Sequence, residues 1–373
     1  MINRIYYYGL LGDLKKLPVG GGQTSARRVI EGLRASGFKV ITTDRHWNTK
    51  LTKVGHVLET VFFTVFNVSQ LFLRLLWGQR KDSIFLNISY SNVLIPLEYF
   101  TGRMAQILGY KSVLYLKGGR LKDVINGLSE KRKEMFKKNL DMRSLIMLEG
   151  ESDIDRIKAF TNTKVIWCPN FIFENNILEH LPVKSEEEIG ICHFGRITKD
   201  KGVEIVLDSF EILAEKYPKM KLYIIGGIGG VGGGDTVFYE NFNNRCKISK
   251  YADRITRVGQ SPLEYLKEVM GKSQFFIFPT ADPCEGQSNS LNEAMAQGLI
   301  PIVSDFHFNR AIVNNDKLVV RGYDAKDYAA VIDSIIENGE MTALSEYAWN
   351  RIKNDFAYKK VNKRVCDEIR KIE

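Results

Sequence analysis

Between Gln274 and Asp305 the chain reads QFFIFPTADPCEGQSNSLNEAMAQGLIPIVSD. Phe275 to Phe278 is an apolar run of strand length, closed by Pro279. An amphipathic segment from about Ser290 to Gln297 is stopped by Gly298, and Leu299 to Val303 is a second apolar run. A strand–helix–strand unit of this spacing builds a parallel sheet, which commits the chain to the α/β class. The loop before the helix falls at the carboxyl end of a strand, where open α/β sheets take their ligands. Amides from about Ser288 to Leu291 would carry the positive end of the helix dipole, which suits an anion. Glu285 and Glu293 bracket them. Amides holding phosphate and carboxylates holding hydroxyls would fit a nucleotide-sugar diphosphate. Ser290-Leu-Asn-Glu293 also spells a capping box, in which Glu293 bonds back to the Ser290 amide. Spacing leaves both readings open.

The same pattern recurs along the chain. Arg4–Leu11, Phe38–Thr42, Ile84–Ile88, Ser112–Leu116 and Val165–Trp167 read as strands before Pro169-Asn170. Ile189–Phe194, Lys221–Ile225 and Ile255–Gly259 do so after it. At 373 residues the chain exceeds what one core usually supports. Two domains are therefore expected, 1–172 and 173–350, with a linker-like Phe173–Glu188 between them. A long basic helix, Glu346–Glu373, follows. Val54–Trp77 is strongly apolar but carries His56, Glu59, Asn67, Ser69, Gln70 and Arg74. It reads as a long core helix or helix pair rather than a span.

Charge divides unevenly: residues 1–175 hold 27 Lys+Arg against 15 Asp+Glu, whereas the remainder is slightly acidic. A basic first half suits an anionic surface or substrate, and Lys131–Lys138 (KRKEMFKK) is amphipathic at helical spacing. Five scattered cysteines argue against a disulfide framework or a structural zinc site and for a reducing compartment. Asp153-Ile-Asp155 matches a metal-binding DxD, but after Ser152 it reads better as the start of a helix. Gly227, Gly229 and Gly232 spell GxGxxG, yet the glycines and Asp235-Thr236 beyond do not promise the immediate helix that a dinucleotide site needs. A flexible loop is expected there.

Glu285, seven residues, then Glu293-Ala294-Met295-Ala296-Gln297-Gly298 resembles the donor loop of retaining, family 4-type glycosyltransferases of the GT-B fold. Gly195-Arg196 and Lys201-Gly202 resemble that family's two phosphate cations. The resemblance implies an α/β architecture of two doubly wound, Rossmann-like domains facing across a cleft, with helix 351–373 returning to the first. It implies transfer from a nucleoside-diphosphate sugar, UDP-linked, to a hydroxyl of a glycan or lipid-linked acceptor, with retention. Arg196 and Lys201 would neutralise the leaving diphosphate without a metal ion or other cofactor. Glu285 would bind the donor sugar and Glu293 the ribose. Gly286, Gln287, Ser288, Asn289, Ser290 and Leu291 would line the phosphates, with Gly21, Gly22 and Gln23 facing them. Gly259 and Pro262 would lie beside the base, and Lys117, Gly118 and Arg120 on the acceptor side. Expected partners are the donor, the acceptor and an anionic membrane met peripherally at the cytoplasmic face, but no nucleic acid. A UDP-sugar epimerase of the same architecture and a nicotinamide-dependent oxidoreductase are the alternatives.

Overall fold

A computed structural model describes residues 1–15, 18, 20–45, 54–90, 95–184, 188–229 and 234–372. Val19 of the first glycine loop, Glu186-Glu187 of the expected linker and Gly232 of the GxGxxG string lie outside the described residues. The elements are, in order, β1 (Arg4–Gly9), α1 (Gly21–Ala35), β2 (Lys39–Asp44), α2 (Val54–Leu76), β3 (Ser83–Tyr90), α3 (Ile95–Ile107), β4 (Lys111–Lys117), α4 (Leu121–Asn126), α5 (Glu130–Asp141), β5 (Leu145–Leu148), α6 (Ile154–Lys158) and β6 (Val165–Trp167). Then follow β7 (Gly190–Phe194), α7 (Val203–Lys216), β8 (Lys221–Ile225), α8 (Thr236–Ile248), β9 (Ile255–Val258), α9 (Leu263–Gly271), β10 (Phe275–Phe278), α10 (Asn289–Ala296), β11 (Ile300–Ser304), α11 (Asn309–Val313), β12 (Val319–Val320), α12 (Ala325–Glu337), α13 (Met341–Arg351) and α14 (Tyr358–Arg370).

The chain forms two compact units, Met1–Asn170 with Tyr358–Glu373, and Phe171–Ala357. The first unit holds a six-stranded parallel sheet in the order β2-β1-β3-β4-β5-β6. Its central strands are apolar on both faces, as a sheet covered by helices on each side requires. Right-handed crossovers put α1 on one face and α2, α3 and α5 on the other, because the chain reverses its direction across the sheet after β2. Side-chain packing agrees. Leu71 and Leu75 of α2 share a core with Met104 and Ala105 of α3 and with Tyr6, Tyr8 and Phe85. Ile95 of α3 shares the adjoining one with Phe136 and Leu140 of α5.

Two expectations for this unit are corrected. Val54–Leu76 is one helix, and its outward side is solvent-exposed rather than core. The C-terminal segment is not one helix from Glu346. A π-turn at Ile352–Phe356 ends α13, and Ala357 turns extended and bridges Ile172, so the returning helix starts at Tyr358. There Tyr358 Oη donates to Gly32 O at 2.8 Å and Arg370 Nη2 to Ser36 O at 2.8 Å.

The second unit's sheet runs β12-β11-β10-β7-β8-β9, all parallel, with Phe275 paired to Ile300 on one side and Ile191 on the other. From β7 the chain builds outward to β8 and β9, then returns past β7 to lay down β10, β11 and β12. The topological switch therefore lies between β7 and β10, and the crevice beyond their carboxyl ends is where such a sheet binds ligands.

Candidate active site

Two loops meet at that switch point. After β7, Gly195-Arg196-Ile197-Thr198 leads into a short turn, Lys199–Lys201, and Gly202 opens α7. Gly202 has φ +68°, and a Cβ there would lie 2.5 Å from Pro279 O, so only glycine lets α7 start against the end of β10. The Ala281 amide donates to Asp200 O at 2.7 Å, tying this loop to the one after β10. Ser304 Oγ, from β11, fixes the second loop from beneath by donating to Thr280 O at 2.7 Å.

The tie brings four charged side chains together. Lys201, 7% exposed, is ion-paired with Glu285 and lies 3.3 Å from Asp282 Oδ2. Arg196 Nη2 donates to the same Asp282 oxygen at 2.8 Å. The Cys284 amide holds Asp282 Oδ1 at 2.9 Å, and the Glu285 amide donates to Asp282 O at 2.9 Å. Burial pushes the Lys201 ammonium down to about 8, and Asp282 opposes a further fall. Burial works to raise the Asp282 carboxyl, but Lys201, the Cys284 amide and Arg196 prevail and hold it below the usual carboxylate range. Such a cluster is two cations held ready by two carboxylates, open to exchange for a polyanion.

Beside it stands the N-terminus of α10. The helix starts at Asn289, one residue earlier than its sequence suggests, and Ser288 is its N-cap, with Oγ accepting from the Leu291 amide at 3.4 Å. Two sequence readings change as a result. Ser290 sits inside the first turn, so the Ser290–Glu293 capping box does not form, because Glu293 is two positions past the place such a box requires. The Leu291 amide is taken by Ser288 and is not available to an anion. Gln287 and Ser288 are buried, whereas Glu285, Gly286, Asn289, Ser290 and Glu293 are half-buried.

His193 on β7 lies behind the cluster, fully buried and stacked on Phe276 with ring centroids 6.1 Å apart. Its Nδ1 is 2.8 Å from Ile277 O, a pure acceptor, so Nδ1 carries the proton. Burial pushes its pKa down to about 4, and Lys201 and Arg257 reinforce the fall that the bond to Ile277 opposes.

The other expected residues stand on other elements. Gly259 and Pro262 flank the carboxyl end of β9, and Pro262 caps α9. Gly259 also borders a pocket of about 510 Å³ beside α8, lined by Tyr239, Asn243, Cys246 and Arg257, which does not include the charged cluster. In the first unit, Gly21, Gly22 and Gln23 form the opening turn of α1 rather than a loop. Lys117 is buried and saturated, 3.1 Å from Glu149 Oε1, and donates to Asn170 Oδ1 at 2.7 Å and Tyr115 Oη at 2.9 Å. That leaves Lys117 holding strand ends together, while neighbouring Gly118 and Arg120 remain half-buried. Asp153, not Ser152, is the cap of α6, and its carboxylate is paired with Arg156. A helix does follow the second glycine loop, against expectation. It begins at Thr236, capped by Asp235, whose Oδ1 accepts from the Phe238 amide at 2.9 Å. That start lies four residues beyond Gly232, too late for the dinucleotide fingerprint. Sequence reading missed Asp282, whose only signal was its position in the loop after β10, three residues before Glu285.

Residues 178–351 match the family described as Glycosyl transferases group 1. Among curated proteins, the capsular polysaccharide biosynthesis glycosyltransferase CapM of Staphylococcus aureus is 25% identical over 209 residues, 54% of this chain and 51% of CapM. The chain thus spans about half the length of that relative. Among solved structures, sucrose-phosphate synthase from Thermosynechococcus elongatus superposes with a TM-score of 0.72 at 16% identity, covering 98% of both chains. Anabaena HepE in complex with UDP gives 0.70 at 12% identity, again covering 98% of both. The pneumococcal O-GlcNAc transferase GtfA, in complex with UDP and GlcNAc, gives 0.60 at 13%, covering 82% of this chain and 60% of GtfA. At these identities the likeness shows the fold, a GT-B pair of Rossmann-like units.

Proposed function

We propose that this chain, whose residues 178–351 match the glycosyl transferases group 1 family, is a glycosyltransferase that moves a sugar from a UDP-linked donor to a hydroxyl of a glycan or lipid-linked acceptor in polysaccharide assembly, with retention at the anomeric carbon. The observation that carries the reading is the cluster of Arg196, Lys201, Asp282 and Glu285 at the β7/β10 switch point, beside the opening of α10. UDP complexes of the similarly folded HepE and GtfA support the choice of nucleotide. The likeness to CapM supports polysaccharide assembly.

In this reading the incoming diphosphate replaces the carboxylates as the partner of Arg196 and Lys201. Those cations then meet the charge that grows on the leaving group as the glycosidic bond breaks, without a metal ion. Glu285, released from Lys201, accepts hydrogen bonds from the donor sugar and faces the cationic carbon. Glu293 accepts from the ribose hydroxyls. The α10 dipole stabilises the phosphate nearer to it. The enzyme works at the cytoplasmic face of a membrane, which its basic first unit meets peripherally.

A thermal-shift panel of nucleotides and nucleotide sugars tests this. UDP and one UDP-sugar should raise the melting temperature of the wild type and not of Lys201→Ala. A response to nicotinamide dinucleotides alone would overturn the reading. Product analysis without acceptor separates transfer, which yields at most slow hydrolysis, from epimerisation, which yields a new UDP-sugar.

A further inference from the structure

The outward side of α2 inverts the usual arrangement of a surface helix. Leu58, Val61, Phe62, Val65, Phe66 and Leu73 point to solvent, with Phe62 66% exposed. The more polar positions Glu59, Thr60, Thr64, Asn67 and Gln70 are half-buried on the other side. Phe62 and Phe66 stack on each other at 6.4 Å, and Trp77, 78% exposed, ends the stripe. At 23 residues the helix is about 34 Å long. Soluble monomers rarely leave so long an apolar strip uncovered.

We infer that α2 lies in the plane of an anionic membrane, with this stripe sunk among the acyl chains and the neighbouring helices α3 and α5 against the headgroups. The reading rests on the peripheral-membrane part of the proposed function and not on its chemistry.

Three features select a bilayer as the occupant. Helices α2, α3 and α5 form one layer on one face of the sheet, so their outer surfaces are continuous. Across that layer the surface passes from apolar on α2, through Phe100, Arg103 and Ile107 on α3, to exposed Lys131, Arg132 and Lys137 on α5. Apolar burial beside a basic border is the composition of an interfacial helix, with an aromatic residue at its end. Second, the unit carries 33 Lys+Arg against 17 Asp+Glu, so a second copy docked on the same stripe would set two strongly cationic rims together. Third, α2 lies on the membrane and does not cross it. Leu71 and Leu75 are fully buried in the core, Tyr110 Oη donates to Leu75 O at 2.8 Å, and Arg74 is bonded to Thr42 O and Thr43 Oγ1. Spanning would strip all of these away.

Flotation of the full chain with phosphatidylcholine vesicles, with and without phosphatidylglycerol, tests the inference. The wild type should float with the anionic vesicles. Phe62→Glu/Phe66→Glu should lose at least about tenfold in partitioning, since a charge at the buried face opposes insertion. Lys131→Glu/Arg132→Glu/Lys137→Glu should bind more weakly and with little remaining salt dependence. Both variants alter exposed side chains, so unchanged melting and an unchanged UDP shift certify that the fold and the donor site are intact. Three results would overturn it: no flotation of the wild type; a vesicle-free dimer that Phe62→Glu/Phe66→Glu turns into a monomer; or bound protein that resists alkaline carbonate. If UDP fails to shift any variant while flotation behaves as stated, the enzymatic reading falls and this one stands.

Discussion

Arg196 Nη2 donates to Asp282 Oδ2 at 2.8 Å, and the same oxygen lies 3.3 Å from Lys201. One carboxylate thus occupies both cations before any phosphate arrives. Asp282→Asn keeps the shape of the loop but removes the competing charge. It should tighten UDP binding about threefold to tenfold, measured by calorimetry. Lys201→Met should instead cost about 10²–10³ in turnover, the usual effect of removing one preorganised group that meets developing charge. Weaker UDP binding by Asp282→Asn would show that the carboxylate organises the cations more than it competes for them.

The depressed Lys201 gives donor binding and folding opposite pH trends. UDP affinity should fall as pH rises through about 8, because the ammonium that meets the phosphate is lost. Stability responds the other way. Between about 8 and the ordinary 10.5 the unfolded chain holds a proton that the folded chain does not, so this group's contribution to stability rises with pH there and is flat below. Calorimetry and urea melts across that window, compared with Lys201→Met, check both signs. The variant should flatten both curves.

Gly202 is a conformational requirement rather than a convenience. With φ at +68° and Pro279 O in the path of any Cβ, Gly202→Ala should cost about 2 kcal/mol or more in a denaturant melt. Because the same turn delivers Lys201, the variant should also lose UDP affinity. Loss of stability with full affinity would mean that the loop re-forms around alanine.

Ser288 and Glu293 should separate cleanly. Ser288→Ala removes the α10 cap and should cost about 1 kcal/mol of stability. Glu293→Ala leaves that cap in place and should weaken binding of UDP relative to free pyrophosphate. Unchanged discrimination between UDP and pyrophosphate would take Glu293 out of the ribose site.

Much of the frame was legible because the strands are buried on both faces. Runs such as Phe275–Phe278 and Lys221–Ile225 are apolar or bounded sharply enough to be read to the residue. Asp282 was not legible, since its partners Arg196 and Lys201 are more than 80 positions away and only the sheet order brings them near. Helix starts depend on which polar residue wins the cap. Ser288 takes the cap position of α10 rather than Ser290, and Asp153 that of α6 rather than Ser152, each a shift of one or two residues that spacing alone does not resolve. The outward face of α2 misled because periodicity marks an apolar side without saying what it faces.

Helix α14 belongs to the first unit although 187 residues of the second precede it. During synthesis the earlier half therefore emerges with one helix of its outer layer missing, and Ser36 and Gly32 without the groups they bond. The second unit is continuous in the chain, and all of its residues are made before Tyr358. The first is completed only once Tyr358–Arg370 has left the exit tunnel, so the half made first is the half finished last.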